Sequence, residues 1–181
     1  MIVIPAKSKI AFTGMVELYG FPAEKIKTYQ DYLSLGKTHL LRTNNARKIA
    51  VHYQRSNNRV VDLGLGFIRD FLLQEGPAAS PVGPNTNSVG SGTNAPAAGD
   101  TGLQTQIQRI AITEYYASGL AAKFDTFWPS PDGIGTWNET ALHNHISNAN
   151  SIYCRKTFLS PFGKTNALTA LIAWTLTSVA V

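Results

Sequence analysis

The sequence predicts an all-β protein, an antiparallel β-sandwich with one packed α-helix. Two observations carry that expectation. From residue 105 onward, short runs of alternating apolar and polar side chains follow one another with turn residues between them. Upstream, a single stretch changes to helical spacing, and closely spaced strands around one helix favour a sandwich. At 181 residues the chain suits one domain with one sizeable core.

The elements follow in order. "SKIAFTGMVELY" (8–19) reads as a strand, with Ile10, Phe12 and Val16 on one face. Residues 20–46 are less regular, although "AEKIKTYQDYLSLG" permits a short helix around Glu24–Leu35. Residues 1–46 are therefore expected to be an N-terminal strand followed by an irregular assembly segment, and residues 47–181 the sandwich domain. "RKIAVHYQR" (47–55) reads as a strand, with Ile49, Val51 and Tyr53 on one side.

"NNRVVDLGLGFIRDFLLQEG" then places Val60, Val61, Leu65, Phe67, Ile68, Phe71 and Leu72 at helical intervals. Asn58 suits its N-cap and Gly76 its stop, with Pro77 directly after, which predicts a helix over about 59–75. Residues 77–104 form a Gly-, Pro- and Asn-rich loop, within which "NSVG" permits a short strand. The later strands are expected at 108–116, 120–128, 135–143, 151–159 and 167–179, separated by turns such as "SPDG" and "SPFGKTN". In the last strand Leu168, Ala170, Ile172, Trp174 and Leu176 face one way, and Thr169, Ala173, Thr175 and Thr177 the other.

Composition narrows the function classes. Only 15% of residues are charged against 44% hydrophobic, so the surface relies on Ser, Thr, Asn and Gly. The net charge of +5 lies upstream: residues 1–78 hold 11 Lys or Arg against 6 Asp or Glu, and residues 79–181 hold 5 against 5. Lys37, Arg42, Arg47, Lys48, Arg55 and Arg59 follow one another with no acid between them. A solvated face is the favoured reading of that run, and an acidic partner is the functional one. Nucleic acid is disfavoured because no Arg–aromatic platform accompanies the charge. One cysteine excludes an intrachain disulfide and a cysteine-based zinc site. The start lacks a secretory pattern, and "ALTALIAWTLTSVAV" is too short and too polar to span a bilayer as a helix, so no membrane insertion is expected.

The glycine-rich stretch "VGSGTNAPAAGDTGL" (89–103) invites a phosphate-loop reading. It has no lysine followed by Ser or Thr, no GxGxxG spacing, and a proline where a helix would begin. It reads as a connection in which Pro96 sets a turn and Asp100 caps a helical turn. His143 and His145 in "LHNHIS" supply at most two ligands, so no metal is expected. Cys154 alternates with core residues and reads as a buried thiol. Glu139 in "WNETAL" reads as a structural acid that accepts backbone hydrogen bonds or pairs with an arginine such as Arg109. A catalytic carboxylate is its weaker alternative, and neither enzyme activity nor a cofactor is expected. The late aromatic residues, Trp128, Trp137 and Trp174 among them, suit a sandwich core better than a sugar platform.

The order of these motifs resembles a family of small structural proteins of tailed-bacteriophage virions. The resemblance runs over roughly residues 47–178 through "NNRVVDLGLGFIRDFLLQ", "VGSGTNAPAAGDTGLQTQIQR", "GTWNETALHN" and "SIYCRKTFLSPFGKTNALTALIAWTLT". It rests on Asn58, Val60, Gly64, Gly90, Gly92, Asp100, Arg109, Glu139, Lys164 and Trp174 among others. It implies a virion part, its members being tail, baseplate, fibre or unassigned structural proteins. The expected place is the tail, neck or collar, or fibre apparatus, assembled with other virion proteins and with copies of itself. Capsid decoration is the alternative, as is a glycan-binding module at a fibre tip using Trp128 or Trp137. Departures are the longer polar region 20–46 and "LHNHIS" itself. Expected interface anchors are Ile2, Ile4, Phe21 and Tyr29, with Lys37, Arg42, Arg47, Lys48 and Arg55 facing an acidic neighbour. The resemblance places the chain in the virion, assembled in the host cytoplasm.

Overall fold

The computed structural model describes residues 10–60, 83–144 and 152–180. Their order is β1 (Ile10–Pro22), α1 (Tyr29–Ser34), α2 (His39–Ile49), β2 (His52–Val60), β3 (Thr86–Gly90), β4 (Gln106–Ala111), β5 (Glu114–Ser118), β6 (Ala121–Trp128), β7 (Gly135–His143), β8 (Ile152–Lys164) and β9 (Leu168–Ala180). The fold is all-β and antiparallel throughout, as the alternation predicts.

One sheet runs β2-β1-β9-β6-β5 and the other β4-β3-β7-β8. They join where the end of β2 leaves β1 and pairs Arg59 with Arg155 and Val60 with Cys154 of β8. The period of two decides which side chains meet between the sheets. Val16 and Leu18 of β1, Phe124 and Trp128 of β6, and Ala170, Ile172 and Trp174 of β9 point inward from the first sheet. Val89, Trp137, Leu142, Cys154 and Phe158 meet them from the second.

The opposite side of the first sheet carries a helix layer. Tyr19, Phe21, Phe127 and Leu171, each one residue out of step with the inner set, pack against Ile26, Tyr32 and Ala46. Thr28 caps α1 in a capping box, its hydroxyl accepting from the Asp31 amide while the Asp31 carboxylate accepts from the Thr28 amide at 2.8 Å. Thr38 caps α2. The outer side of the second sheet is covered by the segment 91–105, with Leu103 against Ala141 and Ile152.

Several expectations change. The strand read over 47–55 begins only at His52, because residues 39–49 form α2. That helix buries only Thr43 and Ala46, so it has no apolar stripe for periodicity to reveal. Asn58 is no helix cap: it lies in β2 opposite Gly14, over the space a Gly14 Cβ would occupy. Residues 59 and 60 of the expected helix are likewise strand, and 61–75 lie outside the described residues.

A boundary at 46/47 falls within α2, and β1 is a central strand paired with β9 along its whole length. Within the expected loop 77–104 the short strand permitted at "NSVG" is present as β3, and residues 77–82 lie outside the described set. The 108–116 segment is two strands, β4 and β5. "SPFGK" continues β8 rather than ending it. The register jumps from Trp137 opposite Phe162 to Glu139 opposite Thr157, so Pro161 lies in a bulge where no ladder donor is required. Gln54 serves that bulge, accepting from the Leu159 amide at 2.9 Å and donating to the Ser160 carbonyl at 3.0 Å.

Candidate functional site

The glycine-rich stretch is held by a buried ionic clasp. Past the register shift that follows Trp137, Glu139 faces away from the inter-sheet core, onto the face that segment 91–105 covers. Its Oε1 accepts from the amides of Gly92 at 3.0 Å and Thr105 at 2.9 Å, and its Oε2 from Gln104 at 3.1 Å. Arg155, on the adjacent strand β8, donates to the same Oε2 through Nε at 2.9 Å and Nη2 at 2.7 Å. The guanidinium then reaches into the loop, with Nη1 on Asp100 at 2.8 Å and Nη2 on the Asn94 carbonyl at 3.1 Å. Burial opposes the charge of Arg155, but Asp100 and Glu139 outweigh it and hold the guanidinium above its ordinary value.

The glycines answer to the same clasp. A Cβ on Gly90 would stand 2.7 Å from Glu139 Oε1, and one on Gly92 2.4 Å from it. The loop's backbone can approach the carboxylate only without those side chains. Asp100 caps no helix; it accepts from the Ala97 amide and from Arg155. The reading of this stretch as a connection, and of Glu139 as a structural acid, fits every one of these contacts. Its partner differs from the one expected: Arg109 donates to Gln106, and Arg155 holds Glu139.

Other candidates are also placed by packing. Trp128, Trp137 and Trp174 are all fully buried. The indoles of Trp128 and Trp137 stack edge-on at 5.2 Å, so neither offers a ring to a sugar. Cys154 is buried, and burial pushes its thiol well above the ordinary range. His143 meets the Ser88 hydroxyl at 2.6 Å and is pushed down to about 3 by burial and by the charge of Arg109; His145 lies outside the described residues.

Phe21 is a core residue and Tyr29 a half-buried one, so neither is an exposed anchor; Ile2 and Ile4 lie outside the described residues. Among the described residues, two buried cations escape sequence reasoning. Arg155 is one. Lys164 is the other: its ammonium donates to the Pro129 and Ser130 carbonyls at 3.0 and 2.9 Å, and burial pushes it down to about 8. Lys164 does appear among the residues that carry the family resemblance, which is the one signal that marks it.

The helix side holds two further polar groups. Glu17 accepts from Arg47 at 2.7 Å, Tyr53 at 2.8 Å and Tyr19 at 3.2 Å, which fixes α2 to β1. Tyr29 meets Glu114 at 2.6 Å and Asp125 at 2.9 Å, which ties α1 to β5 and β6.

Outside these, α2 presents the most distinctive surface. Leu40 and Leu41 in its first turn and Val51 just past its end are 73%, 49% and 63% exposed, and Lys37 before it and Lys48 in its last turn are exposed as well. Arg42 lies over the Tyr32 ring and Arg47 over that of Tyr53, so part of the basic run is engaged internally. Arg55 is exposed further along β2, on the same sheet face. Among the described residues, no helix is long and apolar enough to cross a membrane. No protein-family model, curated protein or solved structure matches the chain.

Proposed function

We propose that this chain is a structural subunit of a tailed-bacteriophage virion, in the tail, neck or fibre apparatus, acting by assembly with neighbouring subunits. The observation that carries the assembly reading is the face of α2. Exposed apolar side chains and exposed lysines in and around this helix, within a stretch that has no acid from Lys37 to Arg59, suit a partner that is both apolar and acidic. The particle reading rests on the motif resemblance. Several residues that carry it are structural in the fold: Gly90, Gly92, Asp100 and Glu139 in the clasp, Lys164 beneath the 129–130 turn, and Trp174 in the core.

Among the alternatives, capsid decoration keeps the same surface and changes only its neighbour. A fibre-tip sugar site at Trp128 or Trp137 has no support, since both indoles are buried. Immunogold labelling of particles of the phage that encodes this chain tests the proposal. Gold at the tail, neck or fibres is the expected result. Gold over the head points to decoration instead, and particles free of the chain refute the virion reading.

A further inference from the structure

Glu114 and Asp125 stand directly opposite each other on β5 and β6, and both contact the hydroxyl of Tyr29. A tyrosine hydroxyl has one proton and donates once, whereas an ionised carboxylate only accepts. Contacts of 2.6 and 2.9 Å to two carboxyl groups are each a full hydrogen bond when one of those groups carries a proton; with both ionised, the single Tyr29 proton is divided between two anions. Asp125 is the buried member, 2% exposed, while Glu114 lies at the sheet edge. The order is then Asp125 O–H to Tyr29 oxygen, and Tyr29 O–H to the Glu114 carboxylate across the shorter distance.

We infer that this triad is a proton-operated latch, which docks α1 and the helix layer on β5 and β6 when Asp125 is protonated and loosens that contact when it ionises. The surroundings supply no substitute for the proton. The charged and titratable groups facing Asp125 are Tyr29 and Tyr32 from α1, Arg42 from α2, Glu114 and Tyr116 from β5, and Lys123 on β6 itself. From β9 it meets only Ala173. Neither Arg42 nor Lys123 forms a salt bridge with it. Ionised Asp125 would thus share a single donor with Glu114, two like charges beneath a six-residue helix. Burial above all, with the charge of Glu114 added, pushes Asp125 up to about 6, against the opposing pull of the Tyr29 hydrogen bond and of the Arg42 and Lys123 charges. That places the change between mildly acidic and neutral conditions.

The test is hydrogen exchange of the full chain at pH 5 and pH 8, corrected for the intrinsic pH dependence of exchange, beside a carbon-13 titration of the Asp125 carboxyl. The latch predicts a midpoint near pH 6 at Asp125. It also predicts a roughly tenfold loss of protection across Tyr29–Ser34 and Glu114–Ser118 at the higher pH. Asp125→Asn, which stays neutral, should keep that protection at both pH values. Tyr29→Phe should lack it at both. A wild-type Asp125 midpoint near the ordinary carboxylate value overturns the inference even if neither variant folds. So does equal protection of the wild type at both pH values, or an unchanged step in Asp125→Asn.

Discussion

Glu139 and Asp125 are both buried carboxyl groups on strands of one sandwich, and they are provided for in opposite ways. Glu139 has five donor contacts: three backbone amides and two from Arg155. Asp125 has one tyrosine hydroxyl, which it shares with a second carboxyl group. The first arrangement accepts a full negative charge and turns it into a fixed attachment for a loop. The second lacks a cation and makes its contact depend on a proton. Burial alone therefore tells little about a carboxyl group's role; the number and kind of donors around it decides.

Breaking the clasp should give the largest effect. Glu139→Ala leaves Arg155 buried without its main partner and orphans three amides, so a loss of about 3–5 kcal/mol is expected in urea unfolding. Segment 91–105 should become the first proteolytic cut site. Protein with wild-type stability and an uncut loop would show that the clasp holds nothing.

The pH response separates the two acids. Asp125 is raised in the folded state, so its contribution to stability is complete below about pH 4 and declines as pH rises to about 6. The size is on the order of 3 kcal/mol between the ends of that window. Thermal unfolding at several pH values should show that decline as the difference between wild type and Asp125→Asn. Identical curves would remove the contrast.

A smaller effect sharpens the clasp. Gly92→Ala brings a Cβ to within 2.4 Å of Glu139 Oε1 and 2.5 Å of Gln104 Cβ, and should cost about 1–3 kcal/mol in the same urea assay. Gly99→Ala, in the same loop with open space around it, should change stability by under about 0.5 kcal/mol. Equal losses at the two glycines would mean that the loop does not depend on close approach to the carboxylate.

The same contrast shows what the sequence makes legible. Strand alternation is visible because one face of each strand meets an apolar core; β7 lies where the pattern puts it, at 135–143, and the inner face of β9 reads correctly from Leu168 to Leu176. The structural role of Glu139 is legible as a lone acid within a β run. Its partner is not, because Arg155 becomes adjacent only through the β7–β8 register and its bulge. The triad at Tyr29 is hidden for a similar reason, since its members are brought together from positions 85 and 96 residues apart. The helix α2 is missed because its inward side is Thr43 and Ala46 rather than an apolar stripe. Reading Asn58 as a cap fails because a strand that faces a glycine accepts the same residue.

The assembly proposal is the claim on which the functional account depends, and α2 offers the most direct test of it. Lys37→Glu/Lys48→Glu changes two exposed side chains that form no salt bridge among the described residues, so stability should hold within roughly 0.5 kcal/mol. The measurement is the amount of this double variant incorporated into particles when it replaces the wild-type chain. At least a roughly tenfold reduction with an unchanged melting temperature is predicted, as charge reversal at an interface should give. Wild-type incorporation of the folded variant would contradict the assignment of α2 as the assembly face.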